Sequence, residues 1–141
     1  MASYNKFQVF SENLSEGIHD LDTDTLKILL TNSAPVATNS VKADLTEISA
    51  GNGYTAGGTQ ATLSSSSHSS GTYKLVLNDV VFTASGGSIG PFRYVVLYND
   101  TPSSPTDPLI GWWDYGSSLT LSDTETFTVD LSASNGVFTL A

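Results

Sequence analysis

The sequence contains no cysteine, so neither a disulfide framework nor a cysteine-based metal site can form. Basic residues are scarce: 5 Lys and Arg stand against 14 Asp and Glu, and the formal net charge is −9. Nucleic-acid binding draws its affinity mainly from Lys and Arg that neutralise phosphates, so this balance argues against a DNA or RNA partner. The same scarcity of basic residues argues against binding to an anionic membrane surface.

Long apolar runs are also missing. None approaches the ~20 residues that cross a bilayer, and the start, MASYNKFQVF, lacks the basic and apolar regions of a secretory signal. We therefore expect synthesis in the cytoplasm. Charged residues make up only 13% of the chain, whereas hydrophobic residues make up an ordinary 39%. A length of 141 residues suits one globular domain with one core.

Short apolar segments with period-two alternation fill most of the chain and predict β-strands. Clusters of Gly, Pro, Asn and Asp separate them, as between Phe92–Asn99 and Leu109–Tyr115. Both faces of the first of these segments are largely apolar, which indicates a central strand. The pattern is typical of an all-β sandwich or barrel, and we expect a jelly-roll-like β-sandwich with residues 1–141 as a single domain. The positions expected to be buried are Leu75, Leu77, Val96, Phe127 and Val129.

One segment has helical periodicity. Apolar residues recur at spacings of three and four from Phe7 to Leu21, which predicts one short amino-terminal α-helix over roughly residues 4–16, within an arm of residues 1–21. This apolar stripe can pack on the chain's own sheet or dock on a partner. Further along, the polar stretch SSSSHSSG, residues 64–71, is predicted to be an exposed, mobile loop.

No residue pattern indicates a reaction centre or a metal site. His19 and His68 lie in unrelated contexts, whereas a zinc site needs three or four convergent ligands. The phosphate-loop motif G-x-x-x-x-G-K-[ST] does not occur. Asp20, Asp22 and Asp24 alternate as in a calcium loop, but the glycine and the glutamate of such a loop are missing. We therefore expect a non-enzymatic protein without a metal or other cofactor.

Aromatic residues are the remaining candidates for function. Tyr4, Phe7 and Phe10 lie within the first ten residues, and aromatic side chains supply much of the binding energy when they fill a partner's pocket. Adjacent residues on a strand point to opposite faces, so one of Trp112 and Trp113 is expected in the core. The other can be a core or rim residue, an interface anchor or a sugar-stacking platform.

From these patterns we expect Tyr4, Phe7, Phe10 and Trp112 to contribute to an interface with a partner. The alternative for the three amino-terminal aromatics is that they close one end of the chain's own sandwich.

Four segments together resemble a group of small virion structural proteins of tailed bacteriophages: YNKFQVF, LKILLTNSAP, DLTEISAGNGYTAGG and SGGSIGPFRYVVLYND. The resemblance runs over most of the chain. It implies a capsid decoration (cement) protein, located in the virion on the capsid exterior, that binds the major capsid protein and carries no catalytic residues. A tail or fibre component that binds a cell-surface glycan is the alternative. Because closed symmetry lets copies match the axes of an icosahedral lattice, we also expect a homo-oligomer, a trimer first and a dimer next.

Overall fold

A computed structural model describes residues 2–141, and within them the chain is antiparallel β-sheet with one short helix. The all-β, sandwich-like fold with one helix is therefore confirmed. The elements in chain order are β1 Asn5–Lys6, α1 Gln8–Ser15, β2 Leu26–Thr31, a 3-10 turn Lys42–Asp44, β3 Thr59–Ala61, β4 Leu63–Ser69, β5 Thr72–Leu77, β6 Val80–Thr83, β7 Ile89–Asn99, β8 Leu109–Leu121, β9 Thr126–Val129 and β10 Phe138–Leu140.

The strands form three sheets. The first has the order β1-β8-β7-β2-β3, the second β10-β5-β4, and the third pairs β6 with β9. One face of the five-stranded sheet packs on the two smaller sheets: Ile28 and Leu97 of the first sheet share one buried cluster with Leu75 of the second and Phe82 of the third. Burial of these side chains is the main stabilising contribution to the sandwich.

The opposite face of the five-stranded sheet is covered as well. Leu29 and Val96 lie directly across from each other on β2 and β7, and both are fully buried. They form a second cluster with Phe7 and Tyr98, against which Trp112 packs. This double covering explains why the central strands are apolar on both faces, as the sequence indicates for Phe92–Asn99.

Residues 64–71 are not the loop that their composition predicts. Leu63–Ser69 forms strand β4, which pairs with β5 through a tight turn at Ser70 and Gly71, both with positive φ (51° and 84°). A serine-rich segment can form a strand here because hydrogen bonding to β5 satisfies its backbone regardless of its side chains. The expectation of exposure is met, since all but one of the residues of β4 are exposed.

Two further expectations need adjustment. The helix is shorter than predicted, because the residues before it, Asn5 and Lys6, pair with β8 as a strand. Of the five positions expected in the core, Phe127 is only half-buried, and the other four are buried. Phe127 lies on a sheet of only two strands, where it contacts Phe92 on one side and the exposed Tyr115 on the other.

Candidate interaction surface

An open groove of about 830 Å³ runs between helix α1 and strand β10. One wall is the segment from β1 into α1, and the other is the carboxy-terminal strand with the turn before it. The groove is therefore built from the two ends of the described chain. Its lining residues are Tyr4, Lys6, Phe10, Ser11, Leu14, Ser15 and residues 135–140.

Aromatic rings form the floor of this groove. Phe138 stacks on Tyr4 with ring centroids 5.8 Å apart and receives Phe10 edge-on at 5.4 Å. Tyr4 in turn meets Trp113 at 5.6 Å. Edge-to-face and offset contacts at these separations are favourable beyond the burial of area alone. The floor is consequently an ordered apolar surface that does not depend on a partner to hold its shape.

A glycine lets the floor approach the sheet this closely. Gly111 on β8 lies directly beneath Tyr4, and an added Cβ would overlap the tyrosine ring. With the ring in this position, the Tyr4 hydroxyl donates a hydrogen bond to the carbonyl of Ile110, at 3.4 Å. Burial raises the pKa of the Tyr4 phenol above its ordinary value, so the hydroxyl stays neutral at physiological pH.

The rim of the groove offers two kinds of polar group. Lys6 carries the one formal charge among the lining residues, and its ammonium group donates to the Ser11 hydroxyl. Strand β10 lies at the edge of its sheet, bonded to β5 on one side only among residues 2–141. An edge strand presents unpaired backbone groups that an extended segment of another chain can bind. The site thus combines an apolar floor with a backbone edge.

The structure separates the four sequence-predicted interface residues into two pairs. Tyr4 and Phe10 lie at the groove, half-buried and buried respectively. Phe7 and Trp112 lie on the opposite face of the sheet, where their rings pack against each other with centroids 4.5 Å apart. Phe7 is fully buried and Phe10 nearly so, which places both in the protein's own core. Tyr4 and Trp112 are the two of the four with accessible surface.

Sequence reasoning missed the carboxy-terminal half of the groove. Phe138 and Leu140 belong to a segment that reads only as a strand, and nothing in its pattern indicates that it lies beside the amino-terminal helix. A contact between two segments at opposite ends of the chain produces no periodic pattern of apolar residues in the sequence. The apolar stripe of the helix was the available signal, and its member Leu14 does line the groove.

Many of the carboxylates hold loops in place. Asp44 accepts the backbone N–H groups of Ser40 and Val41, and Asp79 accepts those of Leu131 and Ser132. The Ser132 hydroxyl also donates to Asp79 and is the largest cause of the lowered pKa of that carboxyl, and the two backbone hydrogen bonds lower the pKa of Asp44.

Two further carboxylates, those of Glu47 and Asp114, also hold segments of the backbone in place. Glu47 accepts the hydroxyl of buried Tyr54 at 2.6 Å and the N–H of Gly57 at 2.7 Å. Asp114 forms a two-point ion pair with Arg93, at 2.8 and 3.1 Å, which lowers the pKa of Asp114. These acidic groups are engaged in holding turns and strands together.

His19 is part of a buried network that joins the arm to the sheet. The Asn99 side-chain amide donates to His19 Nδ1 at 3.0 Å and to Asp24 Oδ2 at 2.7 Å, while its oxygen accepts the N–H of Thr101. This arrangement assigns the imidazole proton to Nε2, which is buried, and the His19 ring lies 5.2 Å from the Phe10 ring between centroids. Burial lowers the pKa of His19 to about 4, against an opposing effect of Asp24.

Two segments that match part of a functional motif have structural roles instead. Residues 86–90, GGSIG, match the letters of the nucleophile elbow G-x-S-x-G, but the segment leads into strand β7, whereas the elbow joins a strand to a helix. Asp20, Asp22 and Asp24 form a turn in which Asp24 accepts the N–H of Asp20. Within residues 2–141, no group of three or more His, Asp or Glu side chains is placed to hold a metal ion.

Among residues 2–141, no helix combines the length and the apolar character needed to cross a membrane. Comparisons of the chain with protein-family models, with curated proteins and with solved structures found no significant match.

Proposed function

We propose that this chain is a non-enzymatic virion structural protein that binds the major capsid protein on the outside of a tailed-phage capsid and stabilises the lattice. The observation that carries the proposal is the groove between α1 and β10. Its floor is aromatic, its lining includes a single charged side chain, and one wall is an open strand edge. Such a surface suits an extended apolar segment of another protein rather than a small polar substrate.

Charge and polar-group usage agree with this role. A net charge of −9 disfavours contact with packaged DNA, so the capsid exterior is the suitable location. Several carboxylates are occupied in holding loops, as with Asp44, Asp79 and Glu47. We assign the protein to the capsid because four of its segments resemble small phage virion proteins. Such a protein is synthesised in the host cytoplasm.

An adhesin on the tail or fibre is the second candidate, and a different surface favours it. Tyr115 on β8 has 52% of its surface exposed and is held edge-on by Phe127 at 5.6 Å. A fixed, exposed aromatic ring is a platform on which a sugar can stack. This function would use Tyr115 and would leave the groove unoccupied.

The copy number and position of the chain distinguish the two candidates. Particles produced from the genome that encodes the chain are purified, the protein is quantified by mass spectrometry, and its position is determined by cryo-electron microscopy. Many copies on the head lattice, each with its α1–β10 groove against the capsid protein, support the proposal. A few copies on the tail support the adhesin, and particles without the chain contradict both.

A pair of exposed substitutions tests the groove itself. Leu140→Asp introduces a charge at the rim, and Val81→Asp introduces the same charge on β6, outside the groove; both side chains are 53% exposed, so neither change removes core packing. We expect Leu140→Asp to abolish binding to capsids that lack the protein and Val81→Asp to leave binding intact. Equal binding by both variants would exclude the groove as the contact.

A further inference from the structure

Strand β4 is an unusually long open edge. Among the strands that lie at the edges of the two larger sheets in residues 2–141, β1 has 2 residues, β3 has 3 and β10 has 3, whereas β4 has 7. Proteins commonly keep edge strands short because a long row of unpaired backbone groups is a template for another strand. The other edges follow this rule, and β4 departs from it.

The hydrogen-bond pattern identifies which backbone groups of β4 point outward. The two-residue turn closes on the pair Ser69 and Thr72, which are the last partners of the hairpin. In such a hairpin the closing pair is hydrogen-bonded, and bonded and non-bonded pairs alternate from there. Ser67 therefore directs its N–H and C=O toward β5, whereas Ser66 and His68 direct theirs away from the sheet.

None of the usual protective devices covers this outward row. Proteins block open edges with charged side chains, proline or a bulge in the strand. The segment Ser65–Ser69 contains no charged residue and no proline, and the bulge of β4 lies before it, between Leu63 and Ser65. All but one of the side chains of β4 are exposed, so no other part of residues 2–141 lies across them.

The charge distribution indicates which partner can approach. From Ile48 to Tyr73 the sequence contains no Asp, Glu, Lys or Arg, although the chain as a whole carries a net charge of −9. Two copies of so acidic a protein repel each other over most of their surfaces. The β4 strands themselves bring no like charges opposite each other, and the acidic side chains near this hairpin, Asp20 and Asp22, lie beside Ser66 and Tyr73. This edge is thus suited to a second copy of the same chain.

We propose that two copies associate by antiparallel pairing of β4 with β4 about a twofold axis that passes beside Ser67. In this register the outward backbone N–H and C=O of Ser66 bond to those of His68 in the second copy. By symmetry, the same groups of His68 bond to Ser66 of the second copy. Ser67 faces its counterpart as a non-bonded pair, the type in which side chains lie closest. The strand is self-complementary because Ser side chains lie on both of its faces and can hydrogen-bond across the axis.

This dimer does not depend on the proposed capsid role, since it forms between free copies in solution. The proposed assembly is a twofold dimer, whereas the sequence analysis led us to expect a trimer first and a dimer next. Isologous contacts of this kind are the commonest in soluble homo-oligomers.

The absence of cysteine allows a direct test. Ser67→Cys introduces the only thiol of the chain, and Thr128→Cys introduces one at an exposed position on β9 as the matched control. Under mild oxidation we expect Ser67→Cys to form a covalent dimer rapidly at concentrations where Thr128→Cys remains monomeric. Equal rates of cross-linking in the two variants would contradict the proposed pairing, in which Ser67 of one copy faces Ser67 of the other.

Sedimentation velocity over a range of concentrations tests the association itself. The unmodified chain should reach the mass of a dimer. Ser67→Lys should raise the dissociation constant roughly tenfold or more, because two ammonium groups would face each other, whereas Thr128→Lys should not. Ser66→Pro should act like Ser67→Lys, since it removes an outward backbone N–H and leaves the backbone bonds of β4 to β5 in place. It also removes the hydrogen bond between the Ser66 and Tyr73 hydroxyls, so circular dichroism should show that both variants are folded. A chain that stays monomeric, a trimer, or a dimer insensitive to both changes would refute the proposal.

Discussion

At the scale of single residues, the fold depends on positions where only a glycine fits. Gly58, just before β3, has a φ of +81°, and an added Cβ would overlap the backbone carbonyl oxygen of Ile28 on the neighbouring strand. Gly17, after the helix, has nearly the same φ of +80° but has no atom within 4 Å of an added Cβ. The two positions share the conformational requirement and differ in the space around them.

This pair gives a test in which backbone strain and steric overlap are separated. Gly17→Ala should cost about 1–2 kcal/mol of unfolding free energy, the usual penalty of the left-handed region for a residue with a Cβ. Gly58→Ala should cost clearly more, because β3 must also move away from β2. Urea denaturation of both variants measures the difference. Similar losses for the two would show that the β2–β3 contact can relax without cost.

At the scale of elements, the amino-terminal segment is part of the core although its position in the chain suggests an arm. Phe7 donates its N–H to the carbonyl of Ile110 at 3.1 Å and buries its ring against Trp112. Phe10 enters the main core cluster on the other face of the same sheet. The segment therefore closes the end of the sandwich, which was the alternative that the sequence left open.

We expect deletion of residues 2–10 to lower the melting temperature sharply rather than to affect partner binding alone. Phe7→Ala by itself should cost about 3–5 kcal/mol, the range for a buried aromatic side chain. Differential scanning calorimetry on both variants is the measurement. A truncated protein that kept its melting temperature but no longer bound capsids would instead identify the segment as an interface.

At the scale of the whole molecule, stability couples to pH through His19. Its network joins the segment after α1 to the turn at Asp24 and to the end of β7 at Asn99. Burial lowers the pKa of His19 from 6.5 to about 4, so the folded protein holds this group neutral. Between these two values the unfolded chain binds a proton that the folded chain does not, and stability must fall as the pH falls.

The expected loss is about 3 kcal/mol between pH 6.5 and pH 4, and stability at pH 7 and above is unaffected by this group. Unfolding free energies from urea denaturation, measured at half-unit intervals, should show this slope for the unmodified chain. In His19→Gln the slope in this window should be much smaller, whatever the absolute stability of the variant. Parallel curves for the two proteins would show that His19 titrates normally in the folded state.

The sequence by itself determined the class of the fold and the positions of most strands. Alternation of apolar and polar residues is a local property, so Leu26–Thr31 and the core of β7 can be recognised without knowing their neighbours. The apolar stripe of the helix was visible for the same reason. Composition also fixed the absence of disulfides and the acidic surface.

Only the tertiary structure decided what depends on contacts between distant segments. Residues 64–71 have the composition of a loop, but most of them form a strand because β5 supplies a backbone partner. Phe127 alternates like a core residue and is half-exposed because its sheet has only two strands. The groove exists because Phe138 lies against Tyr4 and Phe10 from the other end of the chain. Strand pairing is set by the free energy of the whole packed arrangement, which no local pattern contains.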